Sequence, residues 1–407
     1  MEIRPILSTL RRHKTAAALI VMEIALSCAI LCNALFLVVQ RLEDVGRPSG
    51  IAERELLQIR LSGIGAQDDA DARTREDLAA LRAIPGVAGV TVTNQLPFGS
   101  SSSNSAISLT PEQERPTLSF AQYNAHPGMI DTLGLRLVEG RDFLADEYQD
   151  TSALAELEDI STLSSPVIFS ADAAKRLFPD GSAVGRTVYM GPIPLTIVGV
   201  VETLTRPGAM GGNWSYSGIL PLRDNYNNGG SYLIRVADAA RRDEILGSAV
   251  AELERVDPNR LILGQRSYEE IRHRHFRNDR DMIGLLITVS IALLIVTALG
   301  IVGLASFWVQ QRSKQIGIRR ALGATRGQIL RYFQTENFLL VAMGIVLGML
   351  LAYGLNQLLM SRYELPRLPL HYLPIGAVTL WLLGQLAVFW PARRAASVPP
   401  AIATRSA

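Results

Sequence analysis

"QIGIRRALGATRGQIL", residues 315–330, is basic, carries no catalytic pairing and lies between two long apolar runs, about Met282–Val309 and Phe338–Met360. Two further runs, Ala16–Val39 and Tyr372–Trp390, complete the set. Each reaches the roughly 20 residues that a helix needs to cross about 30 Å of hydrocarbon. The last is the shortest and is interrupted by Pro374 and Gly384. The 407 residues are 48% hydrophobic, and this excess is concentrated in the four runs rather than spread, which predicts spans around a soluble domain.

The side on which residues 315–330 lie follows from the charges, because Lys and Arg in short loops favour the cytoplasm. The tail 1–15 holds Arg4, Arg11, Arg12 and Lys14 against Glu2. The loop 310–336 holds Arg312, Lys314, Arg319, Arg320, Arg326 and Arg331 against Glu336, and the tail 391–407 holds Arg393, Arg394 and Arg405 unopposed. These segments carry 13 basic and 2 acidic residues, a net of +11 in a chain whose net is +2, which leaves −9 elsewhere, nearly all of it in residues 40–281. The expected organisation is therefore a cytoplasmic tail (1–15), a first span (16–39), an outward domain (40–281), a second span (282–309), a cytoplasmic loop (310–336), a third span (337–360), a short outer loop (361–371), a fourth span (372–390) and a cytoplasmic tail (391–407). The first run is longer than the apolar stretch of a leader peptide and has no small-x-small cleavage site after it, so it reads as a retained span. Cys28 and Cys32 both fall within it, which leaves the outward domain without a disulfide.

That domain alternates helix and strand patterns. Apolar spacing and an acidic first turn predict a helix over Asp69–Ala83, followed by a strand in "GVAGVTVTNQLPF". Ser170 stands as the cap of a helix in "SADAAKRLF", and "RTVYMGPIPLTIVGVVETL" reads as a hairpin turning at Gly191 and Pro192. "SYLIRV" gives another strand and Asp238–Val256 another helix, an α+β sum in two subdomains. "FGSSSSNSAIS" (98–108) reads as a polar surface loop and "RPGAMGGNWSYSG" (206–218) as a Gly-rich one; neither has the form of a phosphate cradle.

"AIPGVAGVTVTNQLPFG", "HPGMIDTLGLRLVEGRDF" and "SPVIFSADAAKRLFPDGSAVGRTVYMGPIPLTIVGVVETL" resemble the periplasmic core domain of MacB-type permeases. "QIGIRRALGATRGQIL" and "PARRAASVPPAIATRSA" are similar to signatures of the FtsX-like permease domain. The resemblance covers nearly the whole chain in the family's order. It implies a membrane protein of four transmembrane α-helices with a large α+β periplasmic domain inserted between helices 1 and 2, in the bacterial inner membrane with both termini cytoplasmic.

From the residues alone, 315–330 reads as two short helices on the membrane surface: Gly323 ends the first in a left-handed cap, and Thr325 with Gln328 forms a capping box for the second. Topology and headgroup contact account for the arginines but not for Ile316, Ile318, Ala321 and Leu322 among them. The resemblance supplies a second role, a coupling element seated on a cytoplasmic ATPase, and carries it to Ile316, Gly317, Ile318, Arg319, Arg320, Ala321, Leu322, Gly323, Ala324 and Thr325. No G-x-x-x-x-G-K-[ST] sequence is present, and none of Lys14, Lys175 and Lys314 follows a glycine. ATP and Mg are thus expected on a partner ABC ATPase chain, with no cofactor in this one. This departs from MacB, which carries its ATPase domain in the same chain.

Gly344, Gly348 and Ala352 form a small-residue stripe in the third span, and Gly300 and Gly303 thin a face of the second; packing within one subunit and packing between two are both open. Glu23 lies about 10 Å into the first run at about 1.5 Å per residue. With no second intramembrane charge to relay to, it reads as a helix-contact residue. His273 and His275 are about 200° apart on a helix, a poor pair for one metal, and no Ser/His/Asp or Cys/His set is suggested. The chain is read as a non-catalytic permease without nucleic acid. By resemblance it serves efflux of an antibiotic, peptide or other small molecule, working with a second permease subunit, identical or related, a periplasmic adaptor and an outer-membrane channel. Lipoprotein release and transmembrane signalling to a periplasmic enzyme are the alternatives.

Overall fold

The computed structural model describes residues 14–64, 69–100, 102–155, 163–208, 213–363 and 367–397. They form two compact units, one of residues 47–277 and one joining the chain before 47 to the chain after 277.

The second unit is helical. Its elements are α1 (Lys14–Gly46) and, after the inserted unit, α8 (Arg277–Gln311), α9 (Ser313–Ala321), α10 (Arg326–Tyr363) and α11 (Tyr372–Ala396). All but α9 are long and apolar enough to cross a membrane. The first of them is the hub: Ile20, Ile24, Cys28 and Cys32 on α1 pack with Val341, Ile345 and Ala352 on α10 and with Leu380 and Val388 on α11. Close approach is possible because the facing positions lack side chains. A Cβ at Gly344 would stand 2.7 Å from that of Ile24, and one at Gly348 would stand 2.5 Å from that of Cys28. Asn33 adds a bond from Nδ2 to the Ala352 carbonyl, 3.2 Å. The small-residue stripe is therefore spent on packing inside one chain. Gly303 behaves otherwise, with nothing near the place a Cβ would take.

The inserted unit contains two main sheets. In the first, β1 (Leu56–Gly63), β2 (Val87–Thr93), β12 (Ser231–Val236) and β13 (Arg260–Ser267) are all antiparallel in the order β13-β1-β12-β2. Its inner face, with Leu57, Ile59, Val90, Val92 and Ile234, packs on α2 (Ala70–Arg82) and α6 (Arg242–Val256) through Leu78, Leu81, Ile245, Ala249 and Leu253. Inside this core Arg260 grips Asp77 with two nitrogens at 2.5 and 2.9 Å, and the Tyr232 hydroxyl donates to the same carboxylate. The second sheet joins β3 (Asn104–Ile107), β4 (Leu118–Asn124), β5 (Leu137–Gly140), β7 (Ser165–Ser170), β9 (Ile193–Val201) and β10 (Ser217–Leu220) in the order β3-β4-β10-β7-β9-β5, with β8 (Thr187–Met190) on β9. Between β8 and β9 the turn is Gly191-Pro192, with Gly191 at φ +59°, the positive angle that a two-residue hairpin connection requires. Helix α5 (Ala171–Leu177) covers this sheet, and short α3 (Met129–Leu133), α4 (Thr151–Ala155) and the pair β6 (Gln149–Asp150) and β11 (Leu222–Arg223) fill the connections. Helix α7 (Tyr268–His275) follows β13.

Four expectations change. Part of 98–108 is the edge strand β3, because Asn104–Ile107 finds a ladder partner in β4. Ser170 does stand before α5, but its hydroxyl donates to the Ser215 carbonyl at 2.5 Å instead of accepting from the helix. The helix expected from Asp238 begins at Arg242, after a 3-10 turn over Ala239–Arg241. The second short helix after Gly323 is not separate: it is the opening of α10, which continues without a break through the third apolar run, since nothing in "GQILRYFQTENF" stops a helix. Residues 209–212 of the Gly-rich stretch lie outside the described residues.

Candidate coupling site

Helix α9 is short, and its sequence explains both ends. Gly323 takes φ +96°, a conformation open to glycine, and the Ala324 and Gly323 amides donate back to the carbonyls of Arg319 and Arg320 at 3.0 and 3.1 Å. Thr325 then opens α10 with a reciprocal capping box: its hydroxyl accepts from the Gln328 amide at 3.3 Å, and its own amide donates to Gln328 Oε1 at 2.9 Å.

Three anchors fix α9 to the bundle. Ile316 is buried with Trp308, Ile329 and Phe333. Arg312, in the joint between α8 and α9, is buried and donates through Nη1 to both oxygens of Glu336 on α10, at 3.0 and 2.7 Å. Arg320 donates to the Ala396 carbonyl at the end of α11, at 3.0 Å. Arg319 lies 5.0 Å above the ring of Tyr332. Of the ten residues expected at the contact, Ile316 and Gly317 are buried within the chain. The basic residues expected to ring the contact are partly used up internally.

Part of what remains outward is apolar. Ile318 is 49% exposed and Leu322, at 83%, is the most exposed large apolar side chain among the described residues. Ala321 is also exposed, and Lys314 extends the same helical face one turn before Ile318. The anchored helix thus leaves a small apolar group, Ile318, Ala321 and Leu322, outside the chain.

Reading the sequence missed Arg312, Glu336 and Tyr332. A signal existed for the pair: Glu336 is the lone acid among six bases in 310–336 and directly precedes an apolar run, where an unpaired carboxylate is costly. Glu23 faces the bare backbone of Gly300, whose Cβ, if present, would lie 2.5 Å from both carboxylate oxygens. One turn further on, Ser27 and Thr297 share a hydrogen bond of 2.7 Å. Glu23 is thus at a contact between α1 and α8. His275 on α7 packs its ring against Phe98 and Phe276.

The family model of the MacB-like periplasmic core domain matches residues 24–252, more than half the chain, and that of the FtsX-like permease C-terminal domain matches 287–400. The chain belongs to the MacB/FtsX-like permease family. Macrolide export ATP-binding/permease proteins MacB are among its relatives: that of Chromobacterium violaceum is 28% identical over 275 residues, 66% of this chain and 40% of that protein. The MacB protein of Shewanella oneidensis is 26% identical over 358 residues, 83% of this chain and 50% of its own length. This permease therefore spans half or less of the curated relatives it matches. Solved structures similar to it include the periplasmic region of MacB from Actinobacillus actinomycetemcomitans (17% identity, TM-score 0.34, 57% of this chain and 97% of that one). The extracellular domain of the noncanonic ABC-type transporter YknZ from Gram-positive bacteria is another (16%, 0.33, 51% and 100%). The protein is thus a membrane permease of the MacB/FtsX type found in ABC transporters, with a periplasmic α+β domain. In the MacB/FtsX-like permease, α9 falls inside the FtsX-like match.

Proposed function

We propose that this permease couples ATP hydrolysis on a separate cytoplasmic ATPase to movement of its periplasmic domain, and that the transporter exports a small molecule or peptide. The observation that carries the reading is the outward apolar face of α9, Ile318, Ala321 and Leu322, on a helix anchored from three sides. Closure of an ATPase pair would push on that face. The load would pass through the Arg312–Glu336 ion pair and the Arg320–Ala396 bond into α8, α10 and α11 together. Such a device needs two states with different contacts at both ends.

On this reading α9 and both termini lie on the cytoplasmic side of the inner membrane, as the basic segments favour. Export rests on the relatives, which are named for macrolide export and carry an ATP-binding part. No P-loop occurs within these 407 residues, so the nucleotide-binding part lies outside them, and the proposal takes it to be a separate chain. A second permease subunit, a periplasmic adaptor and an outer-membrane channel complete the assembly.

Co-purification tests the reading. Wild type and an Ile318→Asp/Leu322→Asp variant are extracted from native membranes in a neutral detergent. The expected result is an ABC ATPase in the first sample and at least tenfold less in the second, with the variant folded. Equal recovery from both, or no ATPase in either, would remove α9 as the seat.

A further inference from the structure

The first sheet of the periplasmic domain has two unlike faces. One is the apolar core under α2 and α6; the other carries Gln58 and Arg60 on β1, with Arg266 directly across from Gln58 and Gly264 directly across from Arg60 on β13. On the other side of β1, Ser231 is the partner of Arg60. Because side chains alternate along a strand, these five positions share one face.

A cleft of about 220 Å³ opens there, space for roughly seven waters at about 30 Å³ each. Gly264 makes the room: a Cβ at that position would meet nothing within 4 Å. Leu96, Phe98, Leu263 and Ile271 supply apolar wall. Phe98 holds a left-handed φ of +56°, uncommon for a bulky residue, and its ring is buried beneath the Arg272 guanidinium, 4.8 Å away.

The charges decide what the cleft can take. Arg60, Arg266 and Arg274 all line it, and no carboxylate does. In this domain most buried or half-buried arginines meet an acid: Arg73, Arg141, Arg223, Arg235, Arg260 and Arg272 each pair with Asp or Glu. Among the described residues no acid pairs with Arg60, Arg266 or Arg274. Arg266 is half-buried and Arg60 and Arg274 are exposed, so an anion entering the cleft meets three guanidinium groups and no carboxylate, in a domain of negative net charge. Guanidinium binds carboxylate and phosphate through paired charge-assisted hydrogen bonds.

We propose that this cleft is a binding site for a small amphipathic anion, a carboxylate or phosphate monoester attached to an apolar body. Arg60 and Arg266 clamp the anionic head above Gly264, Gln58 and Ser231 offer neutral donors beside it, and the apolar body lies against Leu96 and Leu263. The site stands on the sheet's geometry and is independent of the transport reading, so failure of either leaves the other standing.

Calorimetric titration of the full chain in neutral lipid nanodiscs tests it, with phenyl phosphate and benzoate as probes and benzyl alcohol and benzylamine as controls. Saturable binding of at least one anion, with neither control binding, is expected. Arg60→Ala and Arg266→Ala should each weaken that anion about tenfold. Gly264→Leu, which fills the cleft and leaves the charges in place, should abolish it, while all three keep the wild-type unfolding transition. The two anions tell a carboxylate site from a phosphate site. No saturable binding of either anion, or wild-type affinity in folded Arg60→Ala and Gly264→Leu, would overturn the proposal.

Discussion

Arg312 and Glu336 form a buried ion pair in which one guanidinium nitrogen lies 3.0 and 2.7 Å from the two carboxylate oxygens, joining the α8–α9 corner to α10. Removing one partner strands the other charge away from water, which costs on the order of 3–5 kcal/mol, whereas replacing both with apolar groups of similar volume is near neutral. Glu336→Ala should therefore lower unfolding stability in micelles by about 3 kcal/mol or more. Arg312→Met/Glu336→Leu should recover most of that loss without recovering ATPase stimulation, because the specific orientation of α9 is gone. A double variant as unstable as the single one would show that the pair is not what fixes the corner.

The stripe on α10 gives a steric prediction. Overfilled cores lose about 1–3 kcal/mol. Gly348→Leu should reach or exceed this, since its Cβ already meets Cys28 Cβ at 2.5 Å and the Ala25 carbonyl at 2.7 Å, both on a rigid helix. Gly303→Leu on α8 should change stability little because its Cβ meets nothing. Unfolding of the two variants side by side checks the contrast.

How far the sequence carries can be seen at these positions. The four helices were legible because bilayer thickness demands long apolar runs, and the caps at Gly323 and Thr325 because their chemistry is local. The Gly344–Ala352 stripe was equally legible as small, but its partner was not: the choice of α1 over another subunit depends on side chains more than 300 positions away in the chain, such as Ile24 and Cys28. Ile316 shows the same limit. Helical spacing sets it about 200° from Ile318 and so off the Ile318–Leu322 side, but which of the two sides would be buried was decided by the packing of α9 on Ile329 and Phe333. The continuity of α10 escaped a reading that stopped helices at the hydrophobic boundary.

In the periplasmic domain, Asp77 offers a stability test free of the membrane. It is fully buried and holds Arg260 and Tyr232. Asp77→Ala should cost about 3 kcal/mol by removing the main partner of the buried Arg260 guanidinium, which keeps a longer contact with Asp257 at 3.5 Å. Glu252→Ala, which breaks a solvent-screened surface pair with Arg255, should leave stability nearly unchanged. Chemical denaturation followed by tryptophan fluorescence separates the two, and similar losses would contradict the assignment of Asp77 as the core anchor.

His126 makes stability depend on pH. Burial pushes its pKa down to about 4, and its Nε2 lies 2.6 Å from the Asp224 carbonyl, the geometry of a neutral ring donating a hydrogen bond. The unfolded chain takes up a proton near pH 6.5 that the folded one refuses until about pH 4, so this contribution is intact above pH 6.5 and lost as pH falls towards 4. Between pH 7 and 5 the domain should lose about 2 kcal/mol on this account. His126→Gln should be less stable than wild type at pH 7 and show a flatter profile. An unchanged slope would place the acid sensitivity elsewhere.

The most direct test of the coupling account is photocrosslinking in intact membranes from a benzophenone amino acid placed in turn at positions 316, 318 and 322. The account predicts adducts with an ABC ATPase from 318 and 322, and none from the buried position 316. Crosslinks to lipid alone from 318 and 322, or an ATPase adduct from 316 as strong as theirs, would contradict it.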